Sequence, residues 1–516
     1  MSLPAALHVT DWMGGTAAGT SARASSVPSG ASCLRDWIVS LSLCCAITGA
    51  FLAVDQRCFH WFAIPVLACG IIIGADVVSW VRGRVDLLDP AGIIGLLGFH
   101  FFFLAPFLHV VWDWWMAYVT PPREWRDWLG GMALLNLLGL LAYRCFRAVN
   151  LTRGGVAKQP AATWRFKRTR LAGILLAVLL ASALLQIRVY SDFGGISGYI
   201  NAYMEGERHY GSPYSAFVGK GWIFTFSEAF PIVAWLGFLA FFRDSKLMRS
   251  WPLILASMLP FFGLLILFGG LRGSRTNTVC GLFWAVAAVH LFVRPLSRRL
   301  LAAGMAFLLS FMYLYGFYKA AGTYGMDALK TADGLHDLAE KSGRTWKALL
   351  LGDLGRADLQ AFILYRVLAP GSDYRYAWGG TYVGATALLI PRAIWPGRPA
   401  TKIRWLTDLE MGSGAYASGQ WLSSRVAGLA GEGMLNFGPV AVVPLYALFG
   451  LAVGAFSRFA RSLDPLDSRR LALPVFLLSI VLALVNDSEI LVFGLIKNGV
   501  VPMAMVFWSS VTLRKT

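Results

Sequence analysis

The stretch that decides the fold is LAGILLAVLLASALLQIRV, residues 171–189. It contains a single charged side chain, Arg188, among nineteen residues. The hydrocarbon core of a bilayer is about 30 Å thick and takes about 20 apolar residues of helix. The stretch therefore predicts a helix that crosses a membrane.

Similar apolar runs recur along the 516 residues, of which 57% are hydrophobic and 14% charged. A soluble globular protein is excluded, because roughly a quarter of the residues in such proteins are charged. We predict an all-α polytopic membrane protein with about twelve spans. They lie near 37–54, 59–81, 91–112, 128–143, 171–189, 221–242, 251–271, 277–293, 300–318, 434–456, 471–486 and 490–511.

The orientation follows from segment 144–170, which precedes the opening stretch and holds eight basic and no acidic residues. Lys and Arg are retained preferentially in cytoplasmic loops. With the N-terminus inside, the cytoplasmic segments hold 24 of the 46 basic and 7 of the 28 acidic residues, so both termini are predicted to be cytoplasmic. The net charge of +18 is then a topology signal, and no nucleic-acid partner is expected. These segments are 1–36, 82–90, 144–170, 243–250, 294–299, 457–470 and 512–516.

The spans divide the chain into regions. Segment Tyr382–Trp395 is predicted to be a re-entrant or interfacial element, since it contains Pro391 and Arg392, and a full crossing would place the basic segment 457–470 outside. The seven cysteines show no metal-binding spacing and are expected to be small core residues. The predicted regions are a disordered cytoplasmic tail at 1–36, nine transmembrane helices in 37–318 with an external loop at 190–220, a large periplasmic loop with short helices at 319–433, three helices in 434–511 and a cytoplasmic tail at 512–516.

Two basic clusters lie on the predicted outer face, which is otherwise nearly neutral. Gly269–Asn277 combines glycines with Arg272 and Arg275 before a helix start, a pattern that favours a phosphate or pyrophosphate at headgroup depth. The alternative is two arginines that extend to the interface. Pro391–Trp405 has four cations and no acid, and is either an anchor to anionic lipid or an anion-binding wall. Its cations are Arg392, Arg398, Lys402 and Arg404.

Ionisable groups within or near spans are costly and usually functional. Lys497 lies two turns after Glu489 and is expected to pair with Glu489 or Asp487. Further candidate carboxylates and bases stand in the loops. The first group is Glu228, Glu432, Asp487, Glu489 and Lys497; the second is Asp192, Glu205, Glu207, His209, Asp408 and Glu410.

Three motifs stand in residues 265–455: the G-S-R turn at 273–275, I-P-R-x-x-W-P-G-R-P at 390–399 and G-E-x-x-x-N-F-G at 431–438. Together with the large late loop they resemble the Wzy-type O-antigen polymerases. The resemblance implies a GT-C-like, metal-independent glycosyltransferase of the bacterial inner membrane, without a cofactor. It would transfer a glycan from undecaprenyl pyrophosphate to a hydroxyl of the next lipid-linked repeat unit, at the periplasmic face.

The resemblance also implies partners and site residues. Lipid-linked oligosaccharide and membrane lipids are the expected partners, with a chain-length regulator and a flippase. Arg208 and Arg344 match the family's arginine followed by glycine after ten residues, in the two expected loops. The other pyrophosphate ligands would be Arg272, Arg275, Arg392, Arg398, Lys402 and Arg404.

For the base that receives the acceptor proton, Glu432 is the first candidate and Asp408 and Glu410 follow. Aromatic residues of the large loop would stack on sugar rings or seat the loop at the interface. An O-antigen ligase or another lipid-dependent glycosyltransferase remains an alternative, as does a lipid-linked oligosaccharide flippase. The aromatic residues are Trp378, Trp395, Trp405, Tyr416 and Trp421.

Overall fold

The computed structural model describes residues 30–152, 160, 162–208, 221–272, 275–321, 333–334, 336–337, 339, 345–390, 394–419, 422–423 and 425–514. The helices are α1 Gly30–Val54, α2 Ala63–Val81, α3 Pro90–Val111, α4 Trp125–Thr152, α5 Arg168–Asp192, α6 Gly195–Arg208, α7 Gly221–Ser227, α8 Phe230–Phe242, α9 Trp251–Phe268, α10 Arg275–Ala288, α11 Arg298–Ala321, α12 Ala357–Leu368, α13 Gly380–Ala387, α14 Lys402–Met411, α15 Ala415–Ser418, α16 Gly428–Phe437, α17 Val442–Ser462, α18 Leu473–Ala483 and α19 Ser488–Ser509. Two strands, β1 Ala162–Phe166 and β2 Ser510–Arg514, pair antiparallel.

Within these ranges, ten helices are long and apolar enough to cross a membrane. The chain is therefore an all-α polytopic membrane protein, as the hydropathy predicts. Two of the twelve predicted spans correspond to shorter apolar helices, Asn277–Val293 and α18. The eleven residues of α18 extend only about 17 Å at 1.5 Å per residue, and the turn Ser468–Leu471 adds to them on one side.

Proline marks where several of these helices begin. Pro90 stands in the first turn of α3, and its neighbour Asp89 accepts the Ala91 N–H at 3.0 Å. Pro231, Pro252 and Pro474 occupy the same place in α8, α9 and α18. Proline fits there because the first N–H groups of a helix have no partner within it.

The segments predicted to be cytoplasmic contact one another. Asp36 forms ion pairs with Arg82 and Arg84, and Arg461 pairs with Asp89 at 2.9 Å. Further contacts run through arginines to backbone carbonyls of neighbouring segments, as expected for loops that share one face of a membrane. They are Arg298 to Val85, Arg294 to Arg249, Arg243 to Pro465 and Arg469 to Ala162.

Some boundaries differ from the hydropathy prediction. Helix α4 continues to Thr152, so Arg144 and Arg147 belong to it rather than to a loop. Both arginines form ion pairs with Asp76 of α2, which compensates part of the charge that hydropathy reads as the end of a span. Residues 510–511 lie in β2 rather than in the last span.

The core centres on α4, which packs along α17. Added methyl groups would clash at Gly139 with the Tyr446 ring and at Gly450 with the Tyr143 carbonyl, so these glycines allow the two backbones to approach closely. Helix α12, from the predicted external loop, enters this core and buries Leu359, Ile363 and Leu364. Helix α12 therefore anchors the predicted external loop in the transmembrane core.

Residues 382–387 of the predicted re-entrant segment belong to α13, which packs against α19. The eight residues of α13 extend about 12 Å, far less than the bilayer core. Helix α16 ends at Phe437, well before the end of the predicted span 434–456. The break occurs because Gly438 adopts φ +79°, a conformation that favours glycine. The chain resumes at Pro439 and continues into α17, so the predicted span 434–456 is two helices.

Candidate functional site

Three helix N-termini meet around acidic and amide side chains. Asp487 Oδ1 accepts the N–H groups of Ala427 and Gly428 at the start of α16, both at 2.9 Å. Glu432 Oε2 accepts the N–H of Ser488 at the start of α19, at 2.6 Å. Helix N-termini carry partial positive charge, so each carboxylate stabilises the helix end that it faces.

The third helix start belongs to α13 and is held by an amide. Asn436 Oδ1 accepts the N–H of Gly379 at 2.9 Å. Its Nδ2 donates to the Thr381 hydroxyl at 2.7 Å and to the Glu432 carbonyl at 2.8 Å. Asn436 is fully buried, and it thereby fixes α13 against α16.

Glu432 lies at the centre of this arrangement and is 3% exposed. Its Oε1 accepts from the Thr381 hydroxyl at 2.7 Å and from the Ser488 hydroxyl at 2.6 Å. Burial raises the pKa of Glu432 above its ordinary value, and the charge of nearby Asp487 raises it further. A carboxyl group in this environment can take up a proton at a higher pH than an exposed one.

Lys402 supplies the positive charge at the same place. Its Nζ forms an ion pair with Asp487 Oδ2 at 2.7 Å and donates to the Arg425 carbonyl. The lysine is 3% exposed, so it is a buried counter-ion rather than an open anion ligand. Glu489, next to Asp487, has a side-chain hydrogen bond with Thr401. We call Glu432, Asp487, Glu489 and Lys402 the carboxylate cluster.

The predicted pairing of Lys497 with Glu489 or Asp487 is wrong. Lys497 forms an ion pair with Glu228, and both side chains are buried. Lys402 takes the place beside Asp487 instead. Sequence spacing along α19 could not reveal these partners, because each comes from a different part of the chain.

The other cations of Pro391–Trp405 have separate positions. Arg398 is half-buried and donates from Nη1 to the carbonyls of Ala387 and Ile390, at the C-terminal end of α13. Arg404 is exposed and lies over the Trp405 ring, 5.7 Å from its centroid. Arg392 lies outside the described residues.

The two loop carboxylates predicted as alternative bases both have partners. Asp408 is half-buried and accepts the Tyr416 N–H at 2.8 Å. The Glu410 side chain is fully buried, pairs with Arg425 at 3.2 Å and accepts from the Ser423 hydroxyl at 2.8 Å. Burial raises the pKa of Glu410, and Arg425 opposes that rise.

The predicted arginine turn lies between α9 and α10. Gly270–Arg272 form a single 3-10 turn, and α10 begins at Arg275. Asn277 Nδ2 donates to Glu228 Oε2 at 3.1 Å. A methyl group on Gly269 would lie 2.5 Å from Asn277 Nδ2 and 2.9 Å from Glu228 Oε2. Glycine at this position is therefore required by contact with protein side chains.

The structure leaves several predicted site residues undescribed. The side chains of Arg208, Arg272, Arg275, Glu205 and Glu207 lie outside the described residues, as do Arg344, His209 and Trp421. Of the other predicted aromatic residues, Trp378 is 75% exposed and Trp395 39% exposed. Asp192 is exposed at the end of α5.

Sequence reasoning missed Arg356, which precedes α12. Its backbone has φ +109°, a strained value for a residue with a side chain. The guanidinium donates to the carbonyls of Val426 and Asp353, at 3.2 and 3.0 Å. Burial lowers the pKa of Arg356, and Asp487 is the first of the acidic groups that oppose this. No signal in the sequence separates it from the other external arginines.

Thr381 and Ser488 were also missed, since neither belongs to a motif that sequence reasoning singled out. Among the described residues, no group of three or more His, Cys, Asp or Glu side chains is arranged to hold a metal ion. Comparisons of the chain with protein-family models, with curated proteins and with solved structures return no match.

Proposed function

We propose that the chain is a lipid-dependent glycosyltransferase that polymerises undecaprenyl-pyrophosphate-linked repeat units at the periplasmic face of the bacterial inner membrane. The acceptor hydroxyl would attack the anomeric carbon of the donor glycan. The bond from that carbon to the pyrophosphate oxygen would break, and lipid pyrophosphate would leave with the bonding electrons. The acceptor proton would pass to a carboxylate.

One observation carries this proposal: two motifs more than thirty residues apart both contact helix α13. The motif at 431–438 contributes Glu432 and Asn436, both bonded to Thr381 of α13. The motif at 390–399 contributes Arg398, which caps the other end of α13. Helix α13 thus links two of the three motifs on which the resemblance rests.

The geometry favours Glu432 as the base over the loop carboxylate Glu410. Glu410 is committed to Arg425 within an ion pair, and its release would leave a buried charge. Glu432 is held by neutral hydroxyl and N–H donors, and its raised pKa suits proton uptake. The acceptor hydroxyl would replace the hydroxyl of Thr381 or Ser488 at Oε1.

Positive charge for the leaving pyrophosphate would come from arginines on the same face. Arg272 ends the turn that precedes α10, and Arg275 is the first residue of α10, where helix N–H groups add to the attraction for an anion. Arg404 is exposed and carries its charge into solvent. Lys402 would act indirectly, since it neutralises Asp487 and so limits the negative charge near the donor.

The decisive experiment is polymerisation by the purified protein in nanodiscs, with lipid-linked repeat units as both donor and acceptor. A ladder of longer glycans is expected from the natural chain. Glu432→Gln should lower kcat by about 100-fold or more, since general-base catalysis contributes roughly 10²–10⁴. Glu124→Gln is the matched control, because Glu124 is an exposed carboxylate of another loop.

The outcomes are distinct. No ladder from the natural chain would overturn the polymerase proposal, and transfer only to a lipid A core would identify a ligase. Movement of lipid-linked glycan across liposomes without a ladder would identify a flippase. A normal ladder from Glu432→Gln would move the base to Asp408 or Glu410, to be tested as Asp408→Asn and Glu410→Gln.

A second experiment addresses the arginine turn. Arg275→Ala should abolish long polymer in cells while single repeat units still accumulate on the lipid carrier. Arg123→Ala, an exposed arginine of a different loop, is the control. Normal chain lengths in Arg275→Ala would exclude the pyrophosphate role of Arg275.

A further inference from the structure

Helix α19 connects Glu432, the proposed base, with the turn that carries Arg272. Its first residue, Ser488, donates from both backbone N–H and hydroxyl to Glu432. Nine residues later, Lys497 forms an ion pair with Glu228, which also accepts from Asn277 at the start of α10. At 1.5 Å per residue, the two attachments are about 13 Å apart along one helix.

The attachment at Lys497 is buried and contains charge of both signs. The side chains of Lys497 and Glu228 are 5% and 1% exposed. Glu228 lies at the break between α7 and α8, so its pairing holds three separate elements together. Breaking a buried ion pair by removal of one partner is strongly destabilising. Replacement of Lys497 is therefore expected to shift the elements that meet at Glu228.

The Gly269 backbone packs directly against this attachment. A methyl group on Gly269 would come within 3 Å of both Asn277 and Glu228. The next carbonyl, of Gly270, accepts from the Tyr315 hydroxyl. The turn that carries Arg272 is thus fixed by Glu228 and Asn277 on one side and by Tyr315 on the other.

We propose that Lys497 is a positioning residue, which sets the distance between the arginine turn and Glu432 through α19. This rests on the proposed function, since it assigns the two attachments to the donor pyrophosphate and to the acceptor hydroxyl. Lys497 touches neither substrate. Its effect is to hold the arginines where the leaving pyrophosphate lies when Glu432 takes the proton.

The test compares the natural chain with Lys497→Met, Glu228→Gln and the charge-exchanged double variant Glu228→Lys/Lys497→Glu. In Lys497→Met, kcat/KM for the donor should fall about 100-fold, as expected when reacting groups are displaced by about 1 Å. The KM for the acceptor should stay unchanged. The double variant should recover activity, because the amide of Asn277 can turn its oxygen toward a lysine at 228.

A second readout does not depend on enzyme activity. Cys280 is buried one turn after Asn277, so a displacement of α10 would open its thiol to reagent. Its reaction with N-ethylmaleimide, quantified by peptide mass spectrometry, should be slow in the natural chain, faster in Lys497→Met and slow again in the double variant. Cys145, which is exposed, and Cys69, which is buried, are internal controls.

The two readouts separate the possible failures. If the natural chain makes no polymer but Cys280 labelling follows the expected order, the attachment stands and the proposed function fails. If polymer forms with unchanged donor kinetics in Lys497→Met, the positioning role is overturned. Equal labelling of Cys280 in all variants would also overturn it. The proposal is also overturned if Lys497→Met misfolds and the double variant does not recover the fold.

Discussion

Thr381 Oγ1 lies 2.7 Å from Glu432 Oε1, although the two residues are 51 positions apart in the chain. The same hydroxyl accepts from Asn436 at 2.7 Å, so it is both donor and acceptor in a fully buried network. Such networks stabilise a structure only while every member has its partner. Loss of this one hydroxyl therefore affects both α13 and α16.

Thr381→Val should lower the free energy of unfolding by about 1–3 kcal/mol, because it removes one hydrogen-bond partner from each of two buried groups, Glu432 Oε1 and Asn436 Nδ2. Thermal unfolding in nanodiscs measures the change. Thr381→Ser keeps the hydroxyl and is the matched control. Equal stability of the valine and natural proteins would show that water or another group replaces the hydroxyl.

Gly269→Ala should weaken binding of lipid pyrophosphate, because its methyl group would overlap Asn277 and Glu228. Overpacking at such a site costs about 1–3 kcal/mol. Gly263→Ala is the control, since an added methyl group there has no neighbour within 4 Å. Native mass spectrometry of the protein in nanodiscs measures the binding of lipid pyrophosphate. If Gly269→Ala bound it with the natural affinity, as Gly263→Ala should, this expectation would be wrong.

Stability and activity should respond to pH in opposite directions. The pKa of Glu432 is raised in the folded protein, so the folded state binds its proton more tightly than the unfolded state does. The resulting stabilisation is complete below the ordinary glutamate pKa of about 4.3 and is lost as pH rises through the folded pKa. Activity of an ionised base should rise over the same range.

Glu432→Gln removes this linkage. Its unfolding temperature should depend less on pH across the range in which the natural protein loses stability. The control is Glu124→Gln, which should keep the natural profile because Glu124 is exposed. If the unfolding temperature of Glu432→Gln changed with pH as it does in the natural chain, another group would cause the pH dependence. Glu410 is such a group, because burial also raises its pKa.

Arg356→Gly should destabilise the protein although it relieves a strained backbone at φ +109°. The loss of the hydrogen bonds to Val426 and Asp353 outweighs the roughly 1–3 kcal/mol of strain, because the guanidinium joins α12 to the start of α16. Arg356→Lys keeps the charge but not the fork of donors, and should be intermediate. An increase in unfolding temperature for Arg356→Gly would refute this.

Hydropathy and loop charge predict the helical architecture well, because a bilayer imposes length and polarity on each span. The prediction is less accurate where side chains compensate charge: Arg144 and Arg147 extend α4 because Asp76 pairs with both. Helix α12 was expected in an external loop, yet its apolar side chains pack in the core. Local sequence does not reveal such a partner.

The candidate site could be predicted only in part. Glu432 and Asn436 stand in one motif, and their proximity follows from one turn of helix. Thr381, Ser488 and the pairing of Lys402 with Asp487 depend on contacts between distant segments. The sequence predicts that Lys402 binds an anion, whereas in the structure Lys402 is buried and neutralises Asp487. Only the packing of α14 against neighbouring elements distinguishes these two roles.

The pairing of β1 with β2 has a consequence for biosynthesis. Ala162 finds its partner Arg514 only after about 350 further residues have been made. Until then the ribosome-bound chain displays an unpaired strand edge, which is a template for mistaken pairing with other chains. The pair of β1 and β2 can therefore form only after α19 has been synthesised, and α19 must be in place before β1 has its partner.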